Sequence, residues 1–166
     1  MTVALIDGDI VAYRCAAASE GDPKEVALLR SDDLLNRILQ ETGSESYLVF
    51  LTGSNNYRYQ YNPEYKANRK DTPRPKWLQD VREHLVINWK ASVEDEQEAD
   101  DALGIYQMAN KETIICSIDK DLLMIPGEHY DFVKGIRREQ FNIPAIRHFY
   151  YQLIMGDRTD NIFGFD

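Results

Sequence analysis

At 166 residues, 43% hydrophobic and 28% charged, the chain has the composition of one globular domain with a sizeable core, and no apolar run approaches the ~20 residues needed to span a bilayer. Its net charge of −9, taken alone, argues against nucleic acid, because phosphate binders carry a basic footprint. The chain opens directly on Val3-Ala4-Leu5-Ile6 without a basic leader, which predicts a cytoplasmic protein.

In chain order, Val3 to Asp7 reads as a buried strand ending at Gly8, and Ile10 to Ala18 as a helix of small residues. Pro23 to Glu41 fits a 3.6-residue period through Val26, Leu29, Leu34 and Ile38, with Gly43 as its stop. Ser46 to Thr52 is a near-continuous apolar strand of the kind found in parallel sheets covered on both faces. Asn55 to Pro75 is polar, tyrosine-rich and broken by Pro63, Pro73 and Pro75, which marks a long functional excursion. Lys76 to His84 is expected as a short helix and Leu85 to Trp89 as a strand. Ala99 to Ala109 is a helix, and Thr113 to Ile118 a strand followed by Asp119-Lys120-Asp121. A strand over Tyr130 to Val133 and a helix over Pro144 to Met155, closed by Gly156, complete the series. Strands alternating with helices predict a mostly parallel sheet with right-handed crossovers and a ligand site beyond the strands' carboxyl ends. Cys15 and Cys116 lack CxxC spacing and read as free buried thiols. His84, His129 and His148 are isolated and read as structural.

The charge is uneven. From Arg58 to Lys90 eight cations face four carboxylates, a local +4, so the other residues hold −13 of the net −9. A basic segment on an acidic body suits a protein that meets phosphate with one and metal with the other.

The acidic residues stand where such a sheet would gather them. Asp7 ends the first strand, and Asp119 and Asp121 follow the Thr113 strand, where i and i+2 would share a side in extended chain. Glu98, Asp100 and Asp101 start a helix, and Asp157 and Asp160 could share a helical face at i,i+3. Each alone has a plainer reading: Asp7 as a turn residue, Asp100 or Asp101 as a helix cap, Asp157 as a cap or turn, Asp119 and Asp121 as a solvated loop. Gathered in one cleft they need compensation, because two charges ~4 Å apart repel by about 4 kcal/mol at an effective dielectric of ~20. Oxygen-only donors suit Mg²⁺, and two such ions clamp a phosphodiester.

With Asp7-Gly8, the Tyr61-to-Lys70 stretch, Glu98-Ala99-Asp100-Asp101, Asp119-Lys120-Asp121 and Gly156-Asp157-Arg158-Thr159-Asp160 in this order, the chain resembles the flap endonuclease / 5′–3′ exonuclease family, and most of all its bacteriophage exonucleases. The resemblance covers almost the whole chain. It implies a three-layer α/β/α PIN-like domain over 1–166 with an arch-like insertion at 55–85. It also implies two-metal hydrolysis of DNA at free 5′ ends or 5′ flaps. Metal sites would then comprise Asp7, Glu98, Asp100, Asp101, Asp119, Asp121, Asp157 and Asp160, holding two Mg²⁺ ions for which Mn²⁺ can substitute. Lys66 and Arg69 would act on the scissile phosphate, alongside Asp7 and Asp121 as catalytic residues. Arg58, Tyr65, Lys66, Arg69 and Lys70 would contact DNA, with Tyr57, Tyr59 and Tyr61 either stacking on bases or packing the arch onto the body. The expected state is a monomer.

Two departures stand out. Thr52-Gly53-Ser54 lies where the family often has an aspartate, with Asp9 as a partial substitute. The chain also stops at Asp166, where a DNA-gripping helical module follows in the family. Two other readings compete. Ala4-Leu5-Ile6-Asp7-Gly8-Asp9 resembles the motif of haloacid-dehalogenase-like phosphatases, with Asp7 as nucleophile and Asp9 as acid/base. A non-catalytic module that binds DNA structures with a degraded site is the other.

Overall fold

The computed structural model describes residues 2–69 and 72–165. β1, Val3–Asp7, passes directly into α1, Gly8–Ala17. Asp7 makes that junction, its carboxylate accepting the Ile10 N–H at 3.1 Å and so satisfying one orphan donor of the first turn. Only glycine fits at position 8, where a Cβ would lie 2.6 Å from the Phe50 carbonyl oxygen. α2, Lys24–Thr42, ends on Gly43 at a left-handed φ of 65°. β2, Ser46–Thr52, follows the expected bounds. The excursion after it holds one helical turn, α3, Arg58–Tyr61, and a 3-10 turn at Ala67–Arg69.

The next element corrects the sequence reading. Leu85 to Trp89 is not a strand but the second half of α4, Leu78–Trp89. Val81 and Leu85, four apart, are both fully buried, whereas Val86 and Ile87 are exposed. Burial therefore follows a helical period, and the β-branched run faces outward. Lys90 ends the helix at a φ of 54°, and the strand comes later as β3, Ser92–Glu94.

α5, Ala99–Ala109, and β4, Thr113–Cys116, are followed by a 3-10 turn at Lys120–Met124. β5, Gly127–Asp131, begins before the predicted Tyr130 and forms a hairpin with β6, Ile136–Gln140, which the sequence did not announce. β6 reads Ile-Arg-Arg-Glu-Gln and is largely exposed, so it carries no apolar alternation. α6, Asn142–Met155, is capped by Gly156 at a φ of 69°. The chain closes with a small pair, β7 (Gly156–Asp157) and β8 (Ile162–Phe163).

The main sheet has the order β3-β2-β1-β4-β5-β6, parallel throughout except for the antiparallel β6. Helices cover both faces. Ala4, Ile6, Val49, Leu51, Ile114 and Cys116 point into the core formed with α1, α2 and α4. Their neighbours Leu5, Phe50 and Ile115 point to the opposite face, against Ala99, Ala102 and Leu103 of α5. This two-residue alternation shows why β1, β2 and β4 are apolar without interruption: each successive side chain enters a different core. Each fully buried leucine or isoleucine contributes about 1.5–3 kcal/mol. Cys15 and Cys116 are free and buried. His84 stands 2.7 Å from Asp32, and His129 Nε2 lies 2.8 Å from the Ile125 carbonyl, both structural contacts. No helix among the described residues is long and apolar enough to cross a membrane.

α6 behaves differently. Only Ala145 is buried, while Ile143, Ile146, Phe149, Tyr150, Tyr151, Leu153, Ile154 and Met155 are exposed. The helix leans on the Lys120–Met124 turn rather than on the sheet.

Candidate active site

Register decides where the acidic residues meet. Asp7 sits beside Phe50 of β2, and its predecessor Ile6 beside Cys116 of β4. The carboxyl ends of β1, β2 and β4 therefore open on one edge, at the first residues of α5.

Asp7 lies at the centre, 2% exposed. Burial, helped by the charges of Asp9 and Asp119, pushes its carboxyl up to about 7, against the pull of a hydrogen bond from Ser117. Asp100 is pushed well above the usual carboxylate range, first by burial and then by Asp7, Asp119 and Glu98. Asp121 is raised to about 6 by burial, by Asp119 and by Asp157. Burial also acts on Asp157, but the Thr159 N–H at 2.8 Å and a proton shared from Asp121 bring it below its ordinary value. Asp119 thus lies between two groups, Asp7 with Asp100 on one side and Asp121 with Asp157 on the other.

Asp119 and Asp121 do meet in one place, though not by strand alternation. Asp119 caps the 3-10 turn by accepting the Asp121 N–H at 2.9 Å. Asp157 and Asp160 share no helical face. Asp157 belongs to β7, and Asp160 lies in the turn before β8. Asp157 stays with Asp121, whereas Asp160 goes to the arch.

The arch segment closes over that side. The Tyr65 hydroxyl, 4% exposed as a residue, lies 2.9 Å from Asp160 and 3.1 Å from Glu98. Lys66 Nζ is 2.8 Å from Glu98 and 3.7 Å from Asp160. Arg69 donates to Asp160 at 2.6 Å and to the Thr159 carbonyl at 3.0 Å. Bonds to backbone carbonyls add to the clasp: the Lys66 N–H donates to the Asp160 carbonyl at 3.0 Å and the Asn68 side-chain amide to the Arg158 carbonyl at 3.0 Å. Arg58 forms a two-pronged pair with Asp101 at 2.6 and 2.8 Å. Asp101 also accepts the Glu98 N–H at 3.0 Å in a capping box. That pair holds the Asp101 carboxyl below its usual range despite burial. Lys70, the remaining expected DNA contact, lies outside the described residues.

Several supporting residues had no sequence signal, because each acts through a tertiary bridge. Ser117 donates to Asp7 at 2.7 Å and accepts the Asp119 N–H at 3.0 Å, joining two acidic residues. Asn56, 6% exposed, donates to Glu98 at 2.8 Å. Gln152 of α6 donates to Asp121 at 2.5 Å. Asp9 has both oxygens engaged by the Thr52 N–H, at 3.1 and 3.3 Å, and pairs with Arg82. At Gly53 a Cβ would stand 2.4 Å from an Asp95 oxygen and 2.7 Å from the Glu94 carbonyl. The glycine there is a demand of close β2–β3 packing.

Among the described residues no three acidic, His or Cys side chains already close around one point. The donor chemistry nevertheless fits hard cations. Asp7, Asp100 and Asp121 are all oxygen donors held in one cleft with their charged forms disfavoured by burial and by one another, and a divalent ion removes that penalty. A cavity of about 1110 Å³ opens from Glu98, Asp100, Asp121, Asp157 and Asp160 toward the apolar side chains of α5 and α6. A second, of about 1000 Å³, opens from Glu98 past Lys66, Arg69, Arg74 and Arg82.

A mostly parallel sheet whose carboxyl edge gathers carboxylates under a basic strap is the architecture of a PIN-like nuclease domain. The profile described as 5'-3' exonuclease, N-terminal resolvase-like domain, matches residues 2–150. The chain belongs to this 5′–3′ exonuclease family. Its sequence is 28% identical to the thermostable DNA polymerase I of Thermus filiformis, over 98% of this chain and 22% of that protein. It is 30% identical to DNA polymerase I of Bacillus caldotenax, over 96% of this chain and 21% of that protein. The chain thus spans about a fifth of the length of these relatives. Its fold matches the T5 D15 protein co-crystallized with metal ions, with a TM-score of 0.76 and 16% identity over 99% of this chain and 69% of that one. It also matches T5 5'-exonuclease with divalent metal ions (zinc) bound, with a TM-score of 0.79 and 17% identity over 99% of this chain and 70% of that one.

Proposed function

We propose that this domain hydrolyses phosphodiester bonds of DNA at free 5′ ends or 5′ flaps, using two divalent ions, Mg²⁺ in the cell with Mn²⁺ as a substitute. The observation that carries the reading is the pair of acidic groups bridged by Asp119 beneath a strap bearing Lys66 and Arg69. When bound, the two ions would supply an activated water and stabilise the leaving oxygen. Asp7, Glu98, Asp100 and Asp119 would hold one ion, and Asp119, Asp121 and Asp157, with Asp160, the other. Lys66 and Arg69 spend their charge on Glu98 and Asp160 in this structure. With metal in the cleft, the same cations are free to face phosphate oxygens, where charge builds in the transition state. Tyr57, Tyr59 and Tyr61 are exposed and offer faces for unpaired bases, each worth about 1–3 kcal/mol. Arg58, Asp101 and Tyr65 are bound into the protein and hold the strap and the start of α5 in place.

The phosphatase reading fails on Asp9, whose oxygens are committed to Thr52 and Arg82 and so are not placed to move a proton. Labelled 5′-flap and blunt duplex DNA, incubated with Mg²⁺, Mn²⁺ or chelator, test the proposal. Short 5′ products are expected only with metal. Binding of flap DNA without cleavage in either metal would instead identify a non-catalytic module. We place the protein in the cytoplasm and propose that it is a monomer, a state that light scattering of the purified protein checks.

A further inference from the structure

The end of β2 carries a junction that the proposed chemistry does not use. Thr52 is held at three points. Its N–H donates to Asp9 at 3.1 Å. Its carbonyl accepts Arg82 Nη2 at 2.5 Å, and Arg82 also pairs with Asp9. Its hydroxyl oxygen accepts the Ala99 N–H at 2.9 Å. Asp9 comes from α1 and Arg82 from α4, both on one face of the sheet, while Ala99 opens α5 on the other. The junction therefore passes through the sheet's carboxyl edge and joins the two helix layers.

Ala99 occupies a sensitive position. It is 1% exposed, and its N–H is one of the orphan donors of α5's first turn, so it needs a partner. Glu98 precedes it and Asp100 follows it. A shift of Ala99 moves both carboxylates together. The capping box between Glu98 and Asp101 fixes the turn internally, and the Thr52 hydroxyl bonds that turn to the end of β2, beside the packing of Phe50 against Ala99.

We infer that Thr52, held by Asp9 and Arg82, is a positioning element that fixes where Glu98 and Asp100 stand at the cleft, and through that how tightly they hold a divalent ion. This rests on the nuclease reading for the role of those carboxylates. The Arg82–Asp9 pair, its side chains 24% and 31% exposed, ties α4 to α1 at this point. Its effect falls on geometry. Residues that orient metal-holding groups typically change metal affinity or activity by about 10–100-fold when removed.

Calorimetric Mg²⁺ titration, run beside flap cleavage at varied Mg²⁺, tests this. Thr52→Val keeps the shape and removes the acceptor; Thr52→Ser keeps it. Thr52→Val should bind Mg²⁺ about tenfold more weakly and need correspondingly more Mg²⁺ for half-maximal cleavage. Thr52→Ser should stay close to wild type. Arg82→Gln should shift Mg²⁺ affinity in the same direction by less. The double variant Thr52→Val/Arg82→Gln should be no worse than Thr52→Val alone, because both act through one junction. Wild-type Mg²⁺ affinity in folded Thr52→Val overturns the inference, as does a Thr52→Ser variant as weak as Thr52→Val. If Thr52→Val does not fold, Arg82→Gln decides: unchanged Mg²⁺ affinity overturns the inference. A wild-type protein that binds Mg²⁺ yet cleaves nothing sinks the nuclease reading but leaves the positioning test intact. A wild-type protein that binds no Mg²⁺ sinks both.

Discussion

The two walls of the acidic cleft are built on opposite principles. One wall, at the ends of β1 and β4 and the start of α5, buries Asp7 and holds Asp100 half-buried beside it. It fixes them with a helix-cap bond, a serine bridge and the Thr52 junction, and leaves their charges uncompensated. The other, formed by residues 64–69 against residues 158–161, neutralises its carboxylates with Lys66 and Arg69. Its contacts mix ion pairs to Asp160 with side-chain bonds to the Glu64, Arg158 and Thr159 carbonyls. The first wall is electrostatically strained by burial and by its own like charges; the second is paired. A cleft made this way attracts cations to its fixed side and can release its own cations from the other.

The largest expected effect breaks the first wall. Asp100→Asn should lower metal-dependent cleavage by on the order of a thousandfold, as for loss of one preorganised electrostatic group. It should raise the metal-free melting temperature, because a buried, repelled charge is gone. A variant that cleaves normally shows that Asp100 holds no metal. Asp121→Asn is expected to lose cleavage nearly as completely with circular dichroism unchanged, and normal cleavage would exclude Asp121 from the second site. Lys66→Ala tests the other wall: turnover should fall by on the order of a hundredfold, with Mg²⁺ affinity no weaker than before. An equal loss of Mg²⁺ affinity assigns the lysine a structural role.

A smaller effect sharpens the contrast through pH. Burial and neighbouring carboxylates raise Asp7 to about 7 and Asp121 to about 6, above the ordinary carboxylate range. The folded protein therefore binds their protons more tightly than the unfolded chain. In chelator, their destabilising effect is fully present above pH 7 and is relieved as pH falls through their folded values toward about 4. Asp101 and Asp157, both lowered, act only below that window. The melting temperature in chelator should thus rise between pH 7.5 and 5.5, and saturating Mg²⁺ should flatten the rise. A flat profile in chelator would show the first wall to be unstrained. The least effect is expected for Asn68→Ala, with a stability loss of about 1 kcal/mol or less and faster amide exchange across residues 64–69. Unchanged exchange would show that the clasp does not depend on this amide.

Much of this was legible in the chain. β1, β2 and α5 follow the bounds their patterns set, because each carries an apolar period that only one structure satisfies. Leu85 to Trp89 misled because β-branched residues on an exposed helix face mimic a strand until the burial of Val81 and Leu85 is known. β6 was invisible because a solvated edge strand has no apolar alternation. The motifs singled out the carboxylates that the structure gathers at this edge, but not the separation of Asp157 from Asp160, since a hairpin turn rather than a helix lies between them. Ser117, Asn56, Thr52, Arg82 and Gln152 were out of reach of any local pattern: each matters through a partner at least 30 residues away, apart from the short bond of Ser117 to Asp119.

The close approach at Gly53 also constrains which sequences are neighbours of this one. A Cβ there meets the Glu94 carbonyl, which is backbone and cannot swing aside, as well as the Asp95 carboxylate. Gaining an aspartate at 53 in a single substitution is therefore a disfavoured route. The accessible path first changes Asp95 and the β2–β3 spacing, so the order of mutations, and not only their sum, governs whether an added carboxylate at this edge can be reached by stepwise variation.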